Sequence, residues 1–135
     1  MTTSIVRYTG GLHNDLTHLQ SQTVISTDAP VDNHGKGEAF SPTDLLATSL
    51  AACALTIMGI KAQSMGIELA GAEAHVLKEM AAEPRRVSKI TVDFYLNVAD
   101  KGRNRQLLEA AARSCPVAKS LSADVEQVFT FHYAG

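Results

Sequence analysis

The most distinctive stretch of the chain is its most apolar one. From Leu45 to Ile60 the only polar side chains are Thr48, Ser49 and Thr56. A helix that is apolar on nearly every side is expected to be buried on every side. Its start is marked by Ser41-Pro42-Thr43-Asp44: a capping hydroxyl, a proline at the first helical position, and a carboxylate placed to reach back to the cap. The helix should run to about Met65, where Gly66 supplies the left-handed residue that ends helices. The apolar run covers about 24 Å, short of a ~30 Å hydrocarbon core, and it lacks flanking aromatic anchors, so a core helix is expected rather than a membrane span. A rod of about 37 Å is nonetheless long for a domain whose radius of gyration is about 14 Å. A second copy of the chain is therefore expected to cover one of its faces, giving an obligate homodimer.

Around this helix the polar and apolar positions alternate. Ile5 to Thr9 and Leu19 to Ser26 read as short strands, the first closing at Gly10-Gly11, and Asp28 to Gly37 collects the turn-forming residues of a loop. Glu73 to Lys78 and Ile90 to Val98 read as two more strands. In the second, Ile90, Val92, Phe94, Leu96 and Val98 share one face, and Pro84-Arg85-Arg86 lies in the connection of an expected hairpin. A second helix is expected from about Gly102 to Ser114, with Leu107, Leu108, Ala111 and Ala112 as its stripe. A short helix from Pro116 to Leu121 and a last strand from Val125 to Tyr133 complete the chain. This order predicts an α+β fold, an antiparallel sheet packed around a long buried central helix, in a single domain spanning residues 1–135.

Composition narrows the partners. The 12 Lys and Arg residues against 14 Asp and Glu leave a net charge of −2, which offers no positive field for nucleic acid or a membrane surface. The N-terminal residues lack the charged start and apolar run of a secretory signal, so a reducing, cytoplasmic setting is expected. Two cysteines in such a setting read as free thiols or a redox pair rather than a structural bridge. The five histidines are scattered, with no Cys-x-x-Cys or His-x-x-His pair, so no metal is expected. A Gly-x-Ser-x-Gly elbow and phosphate-cradling glycine motifs are likewise absent.

Cys53 lies near the middle of the apolar helix, a position equally suited to a small core filler. Cys115 precedes Pro116 at the start of the short helix, where exposed N–H groups favour a thiolate. With Ser-Pro-Thr-Asp at the helix start, the run Ala47-Thr48-Ser49-Leu50-Ala51-Ala52 leading into Cys53, and Ser114-Cys115-Pro116-Val117, the chain resembles the OsmC/Ohr family of osmotically inducible and organic hydroperoxide resistance proteins, in a divergent OsmC-like branch.

That resemblance implies an intertwined homodimer with two sites at the subunit interface. It implies a thiol peroxidase in which Cys53 attacks an organic hydroperoxide and Cys115 resolves the sulfenic acid to a disulfide, without metal, haem or flavin. An external dithiol or a lipoylated protein would then reduce the disulfide. A thiol of ordinary pKa, ~8.5, is only a few per cent ionised at pH 7, so the mechanism calls for a nearby cation. Ohr-type proteins have an arginine after the glycine pair and a glutamate after the helix-start proline. This chain has Leu12 and Thr43 there. Asp44, one residue along, is the carboxylate that the OsmC-like branch suggests, although its capping role also explains it. His13, Glu38 and Arg7 are further candidates for the missing polar partners, each with an ordinary place in a turn, loop or strand. The departures leave two alternatives open: a non-catalytic module binding an apolar or thiol-reactive small molecule, and a thiol redox sensor.

Overall fold

A computed structural model describes residues 1–134. They form two compact units, Met1–Leu46 and the chain from Ala47 onward. The first holds a three-stranded antiparallel sheet of β1 (Ser4–Gly10), β2 (His13–His18) and β3 (Val24–Asp28), in that order. Here the pattern-based expectation needs correction. The stretch from Leu19 to Ser26 is not one strand but a turn followed by β3, and the central strand β2 had no apolar alternation to reveal it. His-Asn-Asp-Leu-Thr-His carries a single apolar residue, and its pairing is set by turns instead. The N–H of His18 donates to the Thr23 carbonyl and that of Gln22 to the His18 carbonyl, 2.8 and 2.7 Å. At the other end Gly10, Gly11 and Leu12 all have positive φ, which the two glycines adopt freely and Leu12 adopts at a steric cost.

The second unit holds β4 (Glu73–Ala81), β5 (Arg86–Leu96) and β6 (Glu126–Tyr133), with β5 central. The β4–β5 hairpin is antiparallel as the alternation implies, but β6 runs parallel to β5. The sheet is therefore mixed. A parallel neighbour needs a crossover, and α2 (Gly102–Arg113) with α3 (Pro116–Ser120) supplies it between the two strands. Ile90, Val92, Phe94 and Leu96 of β5 are buried together on one face, as their spacing requires. Phe94 stacks on Phe131 and meets Phe129 edge-on. Tyr133 fastens the end of β6 to α2 by donating to Glu109, 2.8 Å, which also accepts from Arg105 Nε at 2.9 Å. Burial, then the carboxylate, pushes the Tyr133 phenol upward in pKa.

The long helix, α1 (Pro42–Ser64), starts and stops where the sequence indicates. Ser41 Oγ accepts from the Asp44 N–H and Asp44 Oδ2 accepts from the Ser41 N–H, both at 3.0 Å, a complete capping box. At its far end the Ile67 N–H reaches the Ala62 carbonyl and the Gly66 N–H the Gln63 carbonyl, with Gly66 left-handed. That is a Schellman closure. By length and composition α1 could cross a membrane. Leu50, Ala54 and Met58 are instead buried in the core cluster that includes Ile90, Val92 and Phe94. Burial on every side is not what this chain provides: Ala52, Thr56, Ile60 and Gln63 mark an open stripe along the helix.

Candidate functional site

Both cysteines belong to the second unit, and the fold brings Cys53 close enough to add to the upward push on the Cys115 pKa. Cys53 is held by the α1 register. Its neighbours Ala51 and Ala54 face the core, while Ala52 faces out, which leaves the Cys53 thiol half-buried at the margin of the open stripe. Cys115 sits at the junction of α2 and α3. Helix α2 ends as the Ser114 N–H turns back to the carbonyls of Ala110 and Ala111, and Pro116, which has no N–H, begins α3. The intervening Cys115 is extended, with φ −62° and ψ 144°, and 0% exposed.

The surroundings of Cys115 pull in opposite directions. Burial pushes its thiol pKa upward, and the neighbouring Cys53 thiol adds to that. The nearby backbone N–H groups of Ala118 and Val117 act against both, although neither makes a capping hydrogen bond to the sulfur. The outcome is a raised pKa, so Cys115 rests as a thiol. Both cysteines are free.

A groove of about 510 Å³ lies between α1 and α2, lined by Ile57, Ile60, Leu107, Ala110 and Ala111 with Lys61 as its charged member. Ile57 follows Cys53 by one helical turn, and Ser114, also in the groove wall, precedes Cys115, but neither cysteine lines it. The apolar stripe read for α2 divides here: Leu108 and Ala112 enter the core, while Leu107 and Ala111 line the groove. Periodicity alone does not separate two adjacent faces of one stripe.

The other candidate residues lie in the first unit. Asp44 is occupied in the capping box. His13 is not in a turn but at the start of β2, where its Nδ1 bonds Asp28 Oδ1 and its Nε2 lies 3.2 Å from Asp15 Oδ1. The Asp28 bond, ahead of opposing desolvation and the Asp15 bond, raises the imidazole pKa, and the same contact lowers that of Asp28. The contribution of Glu38 is its backbone N–H, which donates to Asp28 Oδ2 at 3.0 Å. Arg7 stands opposite Asp15 on the neighbouring strand, and Leu12 is 43% exposed. The sequence reading missed the His13–Asp28 pair because it depends on the unanticipated β2–β3 register, in which these two residues lie directly opposite. Among the described residues no group of three or more His, Cys, Asp or Glu side chains is gathered as a metal site needs.

With this geometry in place, comparison with known proteins is informative. The family model described as OsmC-like protein matches residues 35–128. No curated protein matches the chain. A crystal structure from Psychrobacter arcticus 273-4, provisionally described as an osmotic stress induced and detoxification response protein, is 54% identical with a TM-score of 0.95, over 98% of this chain and 96% of that one. An organic hydroperoxide resistance protein OsmC from Legionella pneumophila shares the fold at 18% identity and a TM-score of 0.76, over 97% of each chain. The organic hydroperoxide resistance protein OhrB of Bacillus subtilis does so at 19% identity and a TM-score of 0.69, over 97% of this chain and 98% of that one.

Proposed function

Since the chain belongs to the OsmC-like family, we propose that it reduces organic hydroperoxides with Cys53 as the attacking thiol and Cys115 as the resolving one. The observation that carries this reading is that the fold makes neighbours of the two cysteines, one half-buried and one fully buried. In the first step the Cys53 thiolate attacks the terminal peroxide oxygen. The O–O bond breaks, the alcohol leaves, and Cys53 becomes a sulfenic acid. Cys115, its neighbour in the fold, then attacks the Cys53 sulfur and expels water to form a disulfide. An external thiol or dithiol supplies the two electrons that restore both thiols. The groove between α1 and α2 offers apolar walls to the organic part of the substrate, and burial holds the Cys115 pKa above its ordinary value.

Purified protein should consume cumene or tert-butyl hydroperoxide in the presence of a dithiol, and Cys53→Ser should abolish turnover. A wild type as inert as Cys53→Ser, with both binding an apolar ligand, would instead establish the second reading, a non-catalytic binding module. Leu12 and Thr43, in place of the Ohr-type arginine and glutamate, favour that alternative. Asp44 is assigned to the site only through the cap that fixes the start of α1, and Asp44→Asn should leave turnover largely intact.

A further inference from the structure

We infer that Arg113 and Gln127 are positioning residues for the resolving cysteine: one face of β6 ties down the chain on both sides of Cys115 and so sets how that sulfur is presented to Cys53. The inference rests on the hydroperoxide reading for the reaction it serves. Its own support is geometry that lies wholly within the second unit. In β6, Gln127, Phe129, Phe131 and Tyr133 alternate along one face, each half-buried. In α2, Arg105, Glu109 and Arg113 recur at successive turns and so line one side of the helix. The two rows meet. The Arg105 guanidinium lies 5.6 Å from the centre of the Tyr133 ring, and that of Arg113 lies 5.3 Å from the centre of Phe131 and 5.9 Å from that of Phe129. These are distances at which a cation is attracted to an aromatic face.

Arg113 is the last residue of α2, just ahead of Ser114 and Cys115. Beyond Cys115, the Gln127 side-chain amide donates to the Ala118 carbonyl of α3 at 3.0 Å. Cys115 therefore sits between two ties to the same strand. Pro116 withholds an N–H from the helical ladder at this point, so the side-chain ties supply part of the rigidity that a continuous helix would have. The strand is in turn referenced to the helix that carries Cys53. Phe131 stacks on Phe94 with ring centres 4.9 Å apart, and Phe94 shares the core cluster with Leu50 and Ala54 of α1, which stand on either side of Cys53 in the sequence. Resolution depends on this alignment. The Cys115 sulfur bonds to the Cys53 sulfur, the S–O bond of the sulfenic acid breaks, and the hydroxyl leaves as water with the Cys115 proton. A misplacement of about 1 Å in such a step can cost about a hundredfold in rate, whereas peroxide attack at Cys53 makes no demand on where α3 sits.

The test is a single turnover of the full chain with one equivalent of cumene hydroperoxide. Peroxide loss is followed as one signal, and disulfide closure as another by acid quench, alkylation and peptide mass. Arg113→Met keeps an apolar stem without the cation, and Gln127→Leu keeps the bulk without the hydrogen bond. In the double variant peroxide loss should stay within about twofold of wild type while closure slows by about tenfold or more, with dimedone capturing the accumulated Cys53 sulfenic acid. Arg113→Lys, which retains a cation, should close faster than Arg113→Met. Closure within about twofold of wild type in the double variant overturns the inference. So does an equal slowing of both steps, or Arg113→Lys closing no faster than Arg113→Met. If the double variant loses the wild-type circular dichroism, the two single variants carry the same comparison. A wild type whose thiols survive the hydroperoxide sinks the peroxidase reading instead. Equilibration in glutathione buffers then still decides the positioning, because there two electrons pass from the thiol pair to glutathione disulfide and the ratio measures the effective concentration of one thiol at the other. That concentration should fall about tenfold or more in the double variant, and equal values overturn the inference.

Discussion

Closing the Cys53–Cys115 pair into a disulfide should stabilise the protein measurably. The bridge closes a loop of about 62 residues, between α1 and the α2–α3 junction, for which the chain-entropy relation gives about 4 kcal/mol at 25 °C. Native-state strain reduces such figures, and with the two cysteines already neighbours in the fold about 2 to 4 kcal/mol is expected to survive. For a chain of 135 residues, with an unfolding entropy of roughly 2.1 cal/mol/K per residue, that corresponds to a rise of about 7 to 14 °C in Tm. The assay is thermal unfolding followed by circular dichroism, before and after one equivalent of cumene hydroperoxide. Cys115→Ser serves as the control that is oxidised but cannot be bridged. If both thiols are lost from the wild type while Tm stays level or falls, the two sulfurs do not close without distorting α1 or α3, and the reasoning from proximity to disulfide is wrong.

Two further outcomes follow from the rest of the structure. A homodimer in solution is proposed on the open stripe of α1, where Ile60 is 60% exposed, and light scattering should return twice the chain mass. Ile60→Glu should shift that mass toward one copy, and a wild type that scatters as a monomer ends the proposal. The His13–Asp28 pair should make the first unit sensitive to pH at both ends. His13 is raised, so its contribution is complete below the unfolded value of ~6.5 and is lost as pH climbs through the folded value. Asp28 is lowered, so its contribution is complete above ~3.8 and is lost as pH falls through its folded value. Amide exchange in β1–β3 should therefore be slowest between about pH 4 and 6.5 after correction for intrinsic rates, and His13→Gln should flatten the profile.

Where the sequence was readable, a local rule and a tertiary demand coincided. Ser41 and Asp44 specify a cap whatever surrounds them, Gly66 a stop, and the alternation of Ile90, Val92, Phe94 and Leu96 a buried face of β5, which ends before the Val98 that the pattern also included. Strand β2 was opaque because it is held by backbone pairing in a sheet with little burial, so it has no hydrophobic period to read. The direction of β6 was opaque for another reason. Alternation reports which side chains point inward, and it is the same whether a strand lies parallel or antiparallel to its neighbour. The thiol pair was half legible. Motif context set apart Cys53 and Cys115, but their proximity depends on how the α2–α3 junction packs against α1, across about 62 residues of chain.

That junction also explains why two chemically identical thiols can take different parts. An attacking cysteine must be reached by peroxide, and a resolving cysteine is safer if peroxide cannot reach it, since its own oxidation would interrupt the cycle. A proline break between two helices meets the second demand cheaply. Pro116 ends the hydrogen-bond ladder, leaves Cys115 in the core cluster with Ala112, and begins a helix whose first N–H groups lie near the sulfur. Cys53, carried on an uninterrupted helix, has no backbone donors of its own to spare, because its turn of α1 is fully bonded within the helix. The break at Pro116 thus gives Cys115 a backbone setting that the uninterrupted α1 denies Cys53, and the division of labour proposed for the two cysteines matches that difference.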